Sequence, residues 1–409
     1  MPDVEFTNLF AVALIALLAP LLLGLAPRLR VPAVVLEIVA GIVVGPHGLG
    51  LVDVDVPVQI VALLGLGFLL FLAGLEIDVH QLRGQVLRLA VLGYLVTLVL
   101  GGAAGVGFSA AGWVHSALLI AVALSATSLG LVVPVLKDAD RSNSAVGQFT
   151  IAAASVADFA AVLLLSLVFS TEGGSAGERL IMVGLFALFV VVTGVVVATA
   201  GRSRRIGTVL LRLQDTTAEI RVRAAVVLLV AFVALAEQFG LETILGAFLA
   251  GAVVGLVDRD ASSHPRFRIK LDALGYGFLI PAFFVTSGLR LDLRGLVDDP
   301  AALARVPLFL AALLIVRGVP ALLSIRTLGA RSTTAVALLQ ATSLPFIVTA
   351  TQIGVATHLM TPVTAAALVC AGLLSVLIFP AVALTLLRRV AESEVDTTGD
   401  RQYSEGDTE

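Results

Sequence analysis

SATSLGLVVP (125–134) and QATSLPFIVTATQ (340–352) share the tetrapeptide ATSL letter for letter, 215 residues apart, each inside a long apolar run. Each copy sets two hydroxyls beside helix breakers: Thr127 and Ser128 precede Gly130 and Pro134, and Thr342 and Ser343 precede Pro345. Proline has no N–H and frees the carbonyl four residues earlier, here that of Gly130 and that of Ala341. At membrane depth such groups are tolerated only where buried protein, water or an ion satisfies them. Two interrupted helices are therefore expected, offering hydroxyl and carbonyl oxygens to a cation and half-helix N-termini to an anion. For either run alone, hydroxyls bonding back to their own helix and a mild proline kink would explain the pattern. The repetition is what argues for a break.

The chain around these runs has 409 residues, 59% of them hydrophobic and 13% charged, with a mean hydropathy of +1.06. Those values lie outside the range of soluble domains and imply an all-α polytopic membrane protein. Thirteen stretches can cross about 30 Å of hydrocarbon as helices: residues 7–26, 32–50, 57–76, 86–110, 114–136, 145–170, 178–200, 222–240, 241–257, 273–289, 302–325, 332–353 and 361–387. With the N-terminus outside, 21 of the 26 Lys and Arg residues fall on the cytoplasmic side, including six between Arg202 and Arg223. Only Arg179, Arg290, Arg294 and Arg305 then lie outside, the asymmetry expected of an odd number of spans. The opening MPDVEF lacks a basic n-region, so the first span reads as an anchor and not as a cleaved signal. Residues 391–409 are acidic and poor in apolar side chains, which predicts a disordered cytoplasmic tail with no soluble domain after it.

Two further matches keep the order of the ATSL pair. LEIVAG (36–41) resembles LETILG (241–246), and AGLEIDVHQLRG (73–84) resembles SGLRLDLRG (287–295). They pair the second span with the ninth, the third with the tenth and the fifth with the twelfth, seven spans apart each time. An odd displacement sets the copies in opposite senses across the bilayer. The result is two inverted six-helix repeats with two discontinuous helices, an architecture used by secondary transporters that bind substrate near the midplane. GIVVG (41–45) and GAVVG (251–255) occupy matching positions as small-xxx-small pairs, which suit close helix packing inside a scaffold or at a dimer face.

Asp158 is the lone charge in AVGQFTIAAASVADFAAVLLLSLVFS (145–170). An acid at that depth is costly unless a cation or proton neutralises it, so it marks an ion or proton path. Ser155 stands one helical turn earlier and shares its face. Arg317, in ALLIVRGVPALL, is the only basic residue deep in a span; it either snorkels or, with Gly318 and Pro320 beside it, lies buried as a permanent charge that balances Asp158 or caps a half-helix C-terminus. Glu37 and the matching Glu242 read as solvated structural carboxylates near an interface, and Glu76 and Asp78 as a helix end. The five histidines have no metal-ligand spacing, and the single Cys370 can form no internal disulfide. No cofactor and no nucleic-acid partner are implied. An aspartyl protease would need two deep acids facing each other, so the chain is not read as an enzyme.

LEIVAGIVVGPHGLG (36–50), FLLFLAGLEID (68–78), SATSLGLVVPVLKD (125–138), the Asp158 helix and FFVTSGLRLDL (283–293) together closely resemble the monovalent cation:proton antiporter superfamily, especially its second subfamily of Na⁺/H⁺ exchangers and Kef-type K⁺/H⁺ systems. The resemblance spans nearly all of 7–387 and implies a Na⁺/H⁺ antiporter-like fold in the cell membrane. It implies a scaffold that forms a homodimer (1–85 and 222–300), a moving ion-translocation core (86–170 and 301–390), and a linker with a basic loop (171–221). It also implies that Asp158 binds the ion, with Thr127 and Ser128 beside it and Arg317 in the place of a basic residue on the eleventh span. Family members usually carry Asp, Asn or Gln before the essential acid; here that neighbour is Ala157, and Ser155 is the hydroxyl able to compensate. The expected activity is electroneutral exchange of Na⁺ or K⁺ for H⁺ at Asp158. The alternative is a sodium-coupled organic-anion symporter of the same design, which strict dependence on an organic solute would reveal.

Overall fold

The computed structural model describes residues 5–25, 32–76, 84–138, 140–169, 177, 181, 184–186, 188–193, 195, 219–257 and 265–405. Its first seven principal helices are α1 (Thr7–Leu25), α2 (Ala33–Val44), α3 (Val56–Leu75), α4 (Gly84–Ala110), α5 (Ala117–Ser125), α6 (Leu129–Asp138) and α7 (Ala145–Phe169). Next come α8 (Ile220–Gln238), α9 (Thr243–Val257) and α10 (Pro265–Leu274), which runs through a π-helical turn (Gly275–Leu279) into α11 (Ile280–Leu289). Then α12 (Arg305–Gly318) passes into a 3₁₀ segment (Val319–Ser324), followed by α13 (Ala330–Gln340), α14 (Pro345–Ala356) and α15 (Pro362–Glu405).

Among the described residues eight helices are long and apolar enough to cross a membrane, and Ala33–Val44 and Thr243–Leu256 are shorter apolar helices. The expected all-α, multi-pass architecture is the one found. The seventh span and the basic segment after it fall largely outside the described residues; the other twelve expected spans each coincide with one or more helical segments. Two irregularities went unforeseen. Pro281 has no N–H for the Gly277 carbonyl, and the chain widens into the π turn just before it. Pro320 likewise leaves the Val316 carbonyl without its usual partner, and α12 tightens into 3₁₀ at that point. Where a disordered tail was expected, the backbone of α15 stays helical to Glu405: extending a formed helix avoids the cost of nucleating one.

The chain divides into two compact units, residues 1–80 with 162–295, and residues 81–161 with 296–409. In the first, α2 packs on α11 and α3 on α9, so the second span of each repeat lies against the third span of the other. Glycines make both crossings possible. A Cβ on Gly41 would strike the Val285 carbonyl oxygen and one on Gly288 the Ile38 carbonyl oxygen; in the mirrored crossing, Gly74 meets that of Phe248 and Gly251 that of Phe71. Gly45 and Gly255 continue the contacts, with a Cβ at 3.0 Å from the Leu289 Cα and at 2.9 Å from the Leu75 oxygen. The entry to α3 is fixed by Asp55, which accepts from the Val58 N–H and from Asn8 Nδ2, each at 3.0 Å.

In the second unit α15 packs on α12, α13 and α14, and α4 on α5, around a core that includes Val132, Leu136, Phe149, Val336, Leu339 and Ala383. One end of this unit is closed by polar and aromatic contacts. Val114 and Met360 form an isolated antiparallel bridge, and the His115 N–H donates to the Leu359 carbonyl at 2.9 Å. Arg305 lies 5.5 Å from the centre of the Trp113 ring and donates to Thr364 Oγ1 at 2.8 Å, which donates on to the Trp113 carbonyl at 3.2 Å.

Gly74→Leu forces a side chain into backbone, whereas a Cβ on Gly102 of α4 meets nothing within 4 Å. Overpacking of that kind costs about 3 kcal/mol or more where backbone cannot yield. Gly74→Leu is expected to lower the melting temperature and the monodisperse yield in detergent sharply, with Gly102→Leu close to wild type; equal behaviour of the two variants would contradict the packing described.

Candidate ion site at two crossed helix breaks

Both ATSL copies are unwound. Ser125 ends α5, Ala126 is extended (φ −79°, ψ 154°) and α6 starts at Leu129; Gln340 ends α13, Thr342–Leu344 are non-helical, and Pro345 opens α14. Pro345 suits that place, since a first-turn residue has no intrahelical use for its N–H. The first break is not where proline chemistry put it. Gly130 and Pro134 lie inside α6, and the unwound residues are Ala126–Ser128, upstream of both. Tertiary partners hold this segment open: the Ser128 N–H donates to the Thr342 carbonyl at 2.9 Å, so the two breaks touch backbone to backbone.

Asp158 sits on α7, half-buried, facing the start of α6. Its Oδ1 accepts from the Thr127 N–H at 3.0 Å and its Oδ2 from the Leu129 N–H at 3.3 Å. Both donors belong to the N-terminal end of a half-helix, where amides lack intrahelical acceptors and the dipole favours negative charge. Arg317 approaches the same residue from its other side. Its side chain is 2% exposed, which removes the snorkelling alternative. Nε donates to Thr127 Oγ1 at 2.9 Å and to the Gln340 carbonyl at 3.4 Å, Nη2 also donates to Thr127 Oγ1, and Nη1 donates to Thr97 Oγ1 at 3.3 Å. Thr127 Oγ1 in turn donates to the Gln340 carbonyl at 2.8 Å. Gln340 is the last residue of α13, so the guanidinium lies at a half-helix C-terminus, as one of the two buried readings of Arg317 required.

Charge therefore alternates across the crossing: carboxylate on the α6 N-terminus, guanidinium on the α13 C-terminus, and Thr127 bonded to both. Among the described residues no hydrogen bond ends on the carbonyls of Ala126 or Thr127. Such oxygens, with a carboxylate beside them, are hard ligands suited to an alkali cation.

The remaining candidates separate. Ser128 and Ser155 are buried, and Ser155 lies one turn before Asp158 on α7. Thr342 Oγ1 bonds back to the Leu338 carbonyl at 3.1 Å, the local role that a lone hydroxyl was expected to play. Ser343 Oγ is buried with no hydrogen-bond partner among the described residues. Its backbone is held instead: the Ser343 N–H donates to Ser375 Oγ at 3.2 Å and the Ser343 carbonyl accepts from that hydroxyl, also at 3.2 Å. Ser375 thus takes the second break's amide much as Asp158 takes the first's. Thr97, Gln340 and Ser375 were missed in the sequence. A signal existed for Thr97: Tyr94, Thr97 and Gly101 recur at helical spacing on α4, all buried, with the Tyr94 hydroxyl 3.1 Å from Ser125 Oγ.

Of the other charged residues, Glu37 departs from expectation. Glu37 is 4% exposed and not solvated, because α2 sinks into its unit through Gly41 and carries this side chain with it. Glu242 is half-buried in the turn before α9, and Glu76 caps the end of α3. Asp78 lies outside the described residues.

Comparison with known proteins agrees with this architecture. The family described as sodium/hydrogen exchanger, transmembrane, matches residues 13–389. The putative Na(+)/H(+) antiporter YjbQ of Bacillus subtilis is 32% identical over 97% of this chain, and the chain spans 66% of that protein's length. The glutathione-regulated potassium-efflux system protein KefC of Salmonella typhi is 31% identical over 76% of the chain, which spans 49% of its length. The solved structure of the sodium proton antiporter MjNhaP1 from Methanocaldococcus jannaschii at pH 8 has the same fold, with a TM-score of 0.64 at 18% identity, over 93% of this chain and 98% of that one. The chain belongs to the sodium/hydrogen exchanger transmembrane family.

Proposed function

We propose that this protein is a secondary transporter of the cell membrane that exchanges Na⁺ or K⁺ for H⁺, one for one, at Asp158. The observation that carries the reading is the Asp158 carboxylate bonded to both amides at the start of a half-helix, beside the unwound Ala126–Ser128 and its open carbonyls. The relatives support it, being described as Na(+)/H(+) antiporters and as a potassium-efflux protein.

Asp158 binds either a proton or a cation. The cation takes the carboxylate together with carbonyls of the break and the hydroxyls of Ser128 and Ser155. The two loaded forms carry the same charge because Arg317 stays protonated throughout, so both cross and the exchange moves no net charge. The empty form leaves an ionised acid at membrane depth and does not cross. Arg317 and Thr127 are positioning residues: they hold the unwound backbone, and so its carbonyls, in place. Alternating access follows if the unit carrying both breaks moves as one body while the glycine-packed unit forms a homodimer and stays fixed. The N-terminus is then outside and the C-terminus cytoplasmic.

In proteoliposomes with a trapped pH dye, Na⁺ or K⁺ added to wild type should dissipate an imposed pH gradient, and Asp158→Asn should abolish this at unchanged yield and melting temperature. Retained exchange in that variant would remove the central assignment. A membrane potential imposed at zero pH gradient should drive no cation uptake; uptake would show that charge moves. Thr127→Val keeps the backbone amide but deletes the hydroxyl shared by Arg317 and Gln340. Unsatisfied buried partners of a charged group cost about 2–3 kcal/mol, so that variant should melt lower and exchange more slowly; an unchanged melting temperature would mean the hydroxyl is not structural.

A further inference from the structure

Glu37 has no place in the exchange just described. It is a carboxylate 4% exposed, in a helix of twelve residues that carries no other charge, and no described residue donates a hydrogen bond or ion pair to it. An unpartnered acid in an apolar setting is costly. The side chain lines a half-open cavity of about 380 Å³ in the first unit, between α1, α2 and the π turn, where Leu17, Tyr276 and Phe278 are exposed. That is many times the ~30 Å³ share of one water and falls within the 300–1,000 Å³ range of small-molecule sites, roughly. Its walls are apolar, from Ala16, Leu17 and Pro20 of α1 and Phe278 and Pro281 opposite. Among the described residues, only Glu37 and Tyr276 bring polar side chains to the lining, and no Lys or Arg does. The wall opposite α1 is the π-helical turn itself; such irregularities cluster at functional sites.

The lining chemistry selects its ligand. A bare alkali ion needs about five or six oxygen ligands, more than one carboxylate and one phenol supply. A phosphate-bearing headgroup would find an anion and no cation. What fits is a single positive charge with hydrogen-bond donors, carried on an apolar body. We propose that this cavity binds a lipophilic primary ammonium ion, its head on the Glu37 carboxylate beside the Tyr276 ring and its body between α1 and the π turn.

The test uses the full chain in phosphatidylcholine nanodiscs and tritiated 4-phenylbutylamine, which is protonated at neutral pH. One saturable site per chain is expected. Affinity should fall at least tenfold in Glu37→Gln and in Gly277→Leu, whose added side chain starts in open space beside the cavity. It should be unchanged in Asp158→Asn, and neutral 4-phenylbutan-1-ol should compete at least tenfold less well. Gly277→Leu keeps the question answerable should Glu37→Gln fold poorly. Partition without saturation, equal binding by both cavity variants, or equal competition by the alcohol would overturn the proposal. Loss of binding in Asp158→Asn would place the amine in the cation path instead. Displacement by phosphatidylethanolamine added to the nanodiscs would assign the ammonium site to a lipid headgroup and overturn the free amine as its ligand.

Discussion

Thr127 joins the two charges of the candidate ion site. Its amide is taken by Asp158 and its hydroxyl by Arg317, so one residue of unwound backbone is bonded to both. In water such contacts would add little. In a lipid setting an unpaired backbone group, an acid or a guanidinium each carries a desolvation penalty that intramolecular partners must offset. The three penalties offset one another here, and the compensation is geometric: displacing Thr127 would remove one hydrogen-bond partner from each of the two charges. The broken helices are therefore a consequence of tertiary contacts, and this is why the unwound residues precede the proline in α6 instead of following from it.

The other unit solves a different problem. Lipid offers no hydrophobic drive for its helices to associate. Close backbone approach supplies specificity instead, through glycines at equivalent places in the two repeats. Because each copy's second span crosses the other copy's third, neither repeat is a separable body. The inversion seen as paired short motifs becomes an interlock in space.

Much of this was legible in the sequence because hydropathy and repetition are long-range signals. The helix positions, the inverted order and the pairing of ATSL with ATSL all follow from patterns that survive without coordinates. Asp158 and Arg317 stood out for the same reason, each being a lone charge in an apolar run. What sequence could not supply was direction. Thr97 is a polar residue of a common kind, and Gln340 supplies only its backbone carbonyl, until α4 and α13 bring them to one guanidinium. Ser375 became significant only when its hydroxyl met the second break. Glu37 was misread because its distance along the helix from an interface says nothing about which face of α2 is covered. The π turn and the 3₁₀ segment are local responses to Pro281 and Pro320, and proline alone does not say how the freed carbonyl will be accommodated.

Ser375 gives the doubled architecture its final asymmetry. The two breaks are alike in backbone and opposed in sense, yet one amide is received by a carboxylate and the other by a hydroxyl. A fold with twofold pseudosymmetry in shape thus has no such symmetry in charge. Of the two side chains that receive these amides, only that of Asp158 can change its charge.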